Sequence, residues 1–96
     1  MKRRSDDSNW TLLTNHGRIL LLLAKDPEVL VRDLAAEAGV TERRAQAILA
    51  DLEDAKYIKR VREGRRNVYS INLKSPFRHP SEAGHSVGEL IKVFRD

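Results

Sequence analysis

The segment Gly39-Val40-Thr41-Glu42-Arg43-Arg44-Ala45-Gln46 places two arginines directly behind a residue suited to cap a helix. A helix N-terminus carries partial positive charge from its unpaired N–H groups, so adjacent arginines are mildly unfavourable there unless that end meets an anion. An arginine at such a position can grip a phosphate, or a guanine edge through two hydrogen bonds, and a glutamine one turn on suits adenine. Thr41 can offer its hydroxyl or the helix amides to a phosphate. Arg43, Arg44 and Gln46 are therefore read either as base and phosphate readers or as a solvated helix face.

A second cationic group lies downstream. Between Lys56 and His79 stand Lys56, Lys59, Arg60, Arg62, Arg65, Arg66, Lys74 and Arg78 against the single acid Glu63, whereas the whole 96-residue chain has a net charge of only +4. Charge gathered in this way is the footprint of a polyanion partner, with a solvated basic hairpin as the plain alternative. Arg65 and Arg66 directly follow Gly64 at the expected hairpin tip. Lys59, Arg60 and Arg62 fall on the preceding strand and suit nonspecific phosphate attraction.

The elements that must carry these side chains follow from periodicity. Residues 1–9 read as a disordered tail. Thr14 or Asn15 caps a helix through HGRILLLLAKD, ended by Pro27, whose four consecutive leucines imply burial over most of its surface. Val29 to Val31 read as a short extended entry and Arg32 to Ala38 as a short helix, closed by Gly39 at the positive φ of a C′ position. Thr41 opens a third helix ending near Ala55 or Lys56, with Ala45, Ile48, Leu49 and Leu52 as one apolar stripe. Glu42, Arg43, Gln46, Ala47, Ala50, Asp51 and Asp54 form its other face, where small Ala47 and Ala50 permit close approach. Asp51, Glu53 and Asp54 load acid on the far half, where phosphates would repel them, which implies entry into a groove by the N-terminal half only. The period then drops towards two. Ile58 and Arg60, then Tyr69 and Ile71, suggest paired strands around Glu63-Gly64-Arg65-Arg66-Asn67. Ser86 with Glu89 makes a capping box for a last helix whose apolar side is Val87, Leu90, Ile91 and Phe94.

The expected architecture is α+β, mainly α: a winged helix-turn-helix with a three-helix core, a β-hairpin wing and an extra C-terminal helix. Residues 10–75 form the DNA-binding domain and residues 76–96 a C-terminal loop and helix. A major groove about 12 Å wide admits one α-helix, so Thr41, Glu42, Arg43, Arg44, Gln46 and Ala47 would enter it. Arg65, Arg66, Arg62 and Lys59 would lie on the minor groove and backbone. The C-terminal stripe covers the core or meets a second copy. A dimer contact through Trp10, Leu12, Val87, Leu90, Ile91 and Phe94 is expected, since operator palindromes mirror two-fold protein symmetry.

The stretch LAAEAGVTERRAQAILADLEDAKYIKRVREGRRNVYSIN resembles the winged helix-turn-helix core shared by the MarR and ArsR regulator families, over residues 15–73. The flanks LTNHGRILLLLAKDP and FRHPSEAGHSVGELI resemble small single-domain winged-helix proteins seen mainly in actinobacteria. The resemblance implies a bacterial, dimeric regulator that binds double-stranded DNA, with the helix from Thr41 to Ala55 for recognition and Arg65 and Arg66 over the minor groove. Two positions depart from it: Lys56 stands where glycine is usual, and Val31 where a Ser or Thr cap is common. The cysteine or clustered His and Asp ligands of metal-sensing members are absent.

Other classes fare poorly. The chain has no cysteine, so disulfides and thiolate metal sites are excluded. His79, Glu82 and His85 share a three-residue spacing, but Pro80 and Gly84 argue against a helix there, and no metal or other cofactor is expected. No phosphate loop or nucleophile elbow marks an enzyme. No apolar run reaches the roughly 20 residues of a membrane span, and MKRRSDDSNW lacks a signal-peptide core, so the cytoplasm is the expected compartment. The alternatives kept open are a winged-helix protein-interaction module and a nonspecific nucleic-acid binder. A small-molecule effector is left unassigned.

Overall fold

The computed structural model describes residues 9–95; the expected tail, apart from Asn9, lies outside them. Six elements follow in order: α1 (Asn15–Lys25), α2 (Val31–Ala38), α3 (Glu42–Asp54), β1 (Ile58–Glu63), β2 (Arg66–Ile71) and α4 (Val87–Val93).

Thr14 starts α1 by accepting the Gly17 N–H on its hydroxyl, and Asp26 ends it just before Pro27. Ile19, Leu20 and Leu23 are buried, but Leu21 and Leu22 are only half-buried. The expected burial over most of its surface is complete on the side that meets α2 and α3 and partial on the other, where Leu21 and Leu22 sit.

The expected short strand after Pro27 is not formed. One backbone bond, from the Tyr69 N–H to the Pro27 carbonyl at 2.9 Å, fastens this loop to β2 instead. α2 then begins at Val31, one residue earlier than the sequence suggests, on a Leu30 N-cap that provides no side-chain acceptor. At its other end Gly39 has φ 76°. The Val40 N–H reaches the Ala35 carbonyl and the Gly39 N–H that of Ala36, the paired bonds of a Schellman closure. The chain thereby reverses within three residues and delivers Thr41 as the cap of α3.

All four stripe residues of α3, Ala45, Ile48, Leu49 and Leu52, are buried. They join Ile19, Leu20, Leu23, Leu34, Ala35, Ile58, Tyr69, Val87 and Ile91 in one core. Burial of a side chain such as Ile19, Leu23, Leu34 or Ile48 contributes about 1.5–3 kcal/mol each. α3 closes as α2 does, with the Tyr57 N–H on the Leu52 carbonyl and the Lys56 N–H on that of Glu53. Here, however, the C′ residue is Lys56, at φ 68°.

β1 and β2 pair antiparallel from Ile58↔Ile71 to Glu63↔Arg66. The connection is shorter than expected. Only Gly64 and Arg65 lie outside the strands, and Gly64 has φ 63° while Arg65 keeps a negative φ. Those are the φ signs of a type II′ turn, whose twist matches that of the flanking strands. Arg66 and Asn67 therefore belong to β2.

The C-terminal segment is stitched back onto the end of the wing by the Val87 N–H to the Ser75 carbonyl and the Gly88 N–H to that of Leu73. Glu89 accepts the Ser86 N–H at 2.9 Å, the carboxylate half of the expected capping box. Val87 and Ile91 are 1% and 4% exposed. They are core residues of the single chain, which corrects their assignment to a dimer contact: on a short helix docked by its first turn, these two positions face inward.

Candidate nucleic-acid interface

The geometry of α3 sorts its side chains into three rows. At 3.6 residues per turn, Arg43, Ala47, Ala50 and Asp54 lie opposite the buried stripe, and all four are exposed. Gln46 and Glu53 share one edge of that face, seven residues apart; Arg44 and Asp51 share the other. Each edge is tied to the body at its C-terminal end. The Arg60 guanidinium of β1 stands 3.9 Å from the Glu53 carboxylate. His16 of α1 bonds Asp51 through Nε2 at 2.8 Å. Two of the three acids in the far half of the helix are thus engaged with cations or an imidazole of neighbouring elements.

The near half is free. Thr41 accepts the Arg44 N–H on its hydroxyl at 3.0 Å. Glu42, Arg43, Arg44, Gln46 and Ala47 are exposed. Among the described residues none of Arg43, Arg44 and Glu42 makes an ion pair; neither Asp33 nor Glu37 pairs with Arg44. Uncompensated cations at a helix N-terminus, with Ala47 and Ala50 next behind them on the outward row and Asp54 only at its far end, leave room for an anion and for close approach of a flat surface.

The wing separates its cations by role. Arg65 sits at the turn and is exposed with no protein partner among the described residues. Arg62 donates through Nε to the Gly64 carbonyl at 3.0 Å, which stiffens the tip. Arg66, expected beside Arg65 at the tip, instead donates to the Glu28 carbonyl at 3.1 Å and stands 3.9 Å from the Glu28 carboxylate. It braces the wing against the α1–α2 loop. Arg60 also neighbours the Tyr69 phenol, whose pKa burial pushes up while Arg60 partly opposes the shift. Lys59 is exposed on β1, opposite Ser70.

Sequence reasoning missed the two clamps, Arg60–Glu53 and His16–Asp51, because each joins residues remote in the chain that carry no periodic signal. The histidines near the C-terminus are used locally. His85 Nδ1 lies 2.7 Å from Glu89, and His79 Nδ1 2.9 Å from the Ser81 hydroxyl. Among the described residues no group of three His, Asp or Glu side chains is placed to hold a metal ion, and no helix is long and apolar enough to cross a membrane.

Comparison with known proteins agrees with this geometry. The chain is similar, at 28% identity and a TM-score of 0.56, to the homodimeric winged helix-turn-helix DNA-binding domain of a possible ArsR-family transcriptional regulator from Mycobacterium bovis, covering 85% of this chain and 65% of that one. MepR, a transcription regulator of a multidrug efflux pump of Staphylococcus aureus, shares the fold at 20% identity and a TM-score of 0.56, over 84% of this chain and 56% of its own. A zinc-responsive MarR family member of Lactococcus lactis does so at 21% and 0.53, over 72% and 49%. The chain therefore spans between about half and two thirds of the length of these structures. No curated protein matches it. The MarR family model matches residues 10–66, more than half of the sequence. The chain belongs to the MarR family of winged-helix transcriptional regulators, a family of DNA-binding proteins and not of enzymes.

Proposed function

We propose that this chain regulates transcription in the cytoplasm by binding specific sequences of duplex DNA as a homodimer. The N-terminal half of α3 enters the major groove, where Arg43 and Gln46 read base edges and Thr41 and Arg44 hold phosphate. The tip of the wing, through Arg65 with Arg62 and Lys59 behind it, lies on the minor groove and backbone, where a narrow groove attracts arginine. The observation that carries this reading is the division of α3: a far half clamped to α1 and the wing, and a near half with exposed arginines that have no ion-pair partner among the described residues.

The dimer reading rests on apolar surface that the single chain leaves open. Trp10 and Leu12 are 78% and 89% exposed, and Phe94 is 55% exposed at the end of α4. Leu13, Leu21, Leu22 and Phe94 line a groove between α1 and α4. With half-buried Leu90 also on α4, this side suits a second copy; the similar Mycobacterium bovis domain is homodimeric. Residues 10–75 would then act as the DNA-binding domain and residues 76–95 as a cover that also meets the partner.

Selection of bound fragments from a random duplex pool tests the whole reading. Enrichment of a two-fold symmetric sequence is the expected result. Enrichment of nothing, despite binding at low salt, would point to a nonspecific nucleic-acid binder. No duplex binding at low salt would point to a protein-interaction module.

A further inference from the structure

The chain closes two helices with the same pair of backbone bonds but uses glycine at one and lysine at the other. Lys56 is the only non-glycine residue at positive φ among the described residues. Its conformation is held from three sides: its N–H donates to the Glu53 carbonyl, and its own carbonyl accepts from the Ser75 hydroxyl at 3.2 Å and the Asn72 amide at 3.5 Å. Glycine would satisfy every one of those backbone bonds without strain. A strained residue that the surroundings over-determine calls for a use of its side chain.

That side chain lines a cleft where the end of α3 meets the base of the wing. Lys59, Ser70 and Asn72 line it too, with Glu53, Ile58 and Ile71. Neither Lys56 nor Lys59 has an ion-pair partner among the described residues, while the one acid at the rim, Glu53, faces Arg60. Lys59 and Ser70 are direct cross-strand partners, so their side chains leave the same face of the hairpin. Two free ammonium groups with a hydroxyl and a carboxamide suit a tetrahedral oxyanion, whose oxygens take several donors at once.

We propose that this cleft seats a phosphate group, either of the DNA backbone beside the recognised half-site or of a free phosphate ester. The first source rests on the DNA-binding reading above; the second does not. A phosphate there would bridge the last turn of α3 and the first residues of β1, and so couple the recognition helix to the wing.

The test titrates the full chain, by amide NMR, with inorganic pyrophosphate, and separately measures the salt dependence of its affinity for duplex DNA. Lys56→Gln keeps the backbone strain and removes the charge; Lys56→Gly removes both. Saturable shifts at residues 56, 59, 70 and 72, weakened about tenfold or more in both variants, are expected. Lys56→Gly should also raise Tm by about 4–8 °C, the mark of relieved strain. A salt slope lower by about 0.9 in both variants assigns the phosphate to DNA. An unchanged slope, with a wild-type pyrophosphate response that both variants weaken, assigns it to a free ester. Absence of both the pyrophosphate shifts and the change in salt slope overturns the proposal, while a loss of DNA affinity in Arg43→Ala would leave the DNA-binding reading standing. If the wild-type chain binds no duplex at low salt, that reading falls and the pyrophosphate titration alone decides the cleft.

Discussion

Three arginines that look equivalent in the sequence have different surroundings and should fail differently. Arg43 is unpaired on the outward row of α3, so Arg43→Ala should cost about 1–3 kcal/mol of specific DNA affinity and relax preference at one base pair. Arg65 is free at the turn, so its loss should weaken binding to every duplex alike and lower the salt slope by about 1. Arg66 already bonds Glu28; its replacement should change the slope less than that of Arg65. Equal slopes for the two variants, measured over the same salt range, would mean that the Glu28 contact does not persist on the DNA. The adjacency of Arg65 and Arg66 was legible from the sequence, but the partition between them was not. It depends on a turn of two residues where five were expected, and on a loop 38 positions away reaching Arg66.

At the scale of elements, local rules carried most of the prediction. Thr14 and Thr41 cap the helices expected of them, the stripe of α3 is buried at each of its four positions, and Gly39 adopts positive φ. Each is a rule of near neighbours, with periodicity and capping both readable within one or two turns. Gly39→Ala should destabilise the chain by about 1–2 kcal/mol, since a Cβ in that conformation meets the following carbonyl. Denaturant unfolding measures it, and a loss below about 0.3 kcal/mol would contradict the strain argument. α4 adds a pH-dependent contact. The Glu89 carboxylate raises the pKa of His85 above 6.5, and the His85 imidazole lowers that of Glu89 below 4.5. The histidine's share of stability is complete below its unfolded value and lost as pH rises through the raised one. The carboxylate's share is complete above its ordinary value and lost as pH falls through the lowered one. The Tm advantage of wild type over His85→Ala should therefore be largest near pH 5.5 and shrink by pH 8. An advantage unchanged across that range would show the pair to be unimportant in solution.

For the whole molecule, tertiary context decided what periodicity could not. The stripe Val87, Leu90, Ile91 and Phe94 reads the same whether it covers its own core or a partner. The structure divides it: Val87 and Ile91 are inside, and Phe94 remains outside with Trp10 and Leu12. Likewise, the leucine run of α1 is buried on one side only, because the neighbouring helices reach no further. If the outer group is the contact between copies, Phe94→Asp should shift the chain from dimer to monomer in sedimentation at micromolar concentration, leave the helical circular dichroism intact, and weaken binding to a two-fold site more than to a half-site. A chain that stays dimeric would place the contact elsewhere.

The arrangement of α3 and the wing as one surface is open to a single spectrum. Amide NMR of the labelled chain, with and without a selected duplex at moderate salt, should shift residues 41–47 and 62–66 together and leave the groove between α1 and α4 undisturbed. Shifts confined to that groove, or to the wing without the start of α3, would contradict a helix seated in the major groove with the wing beside it.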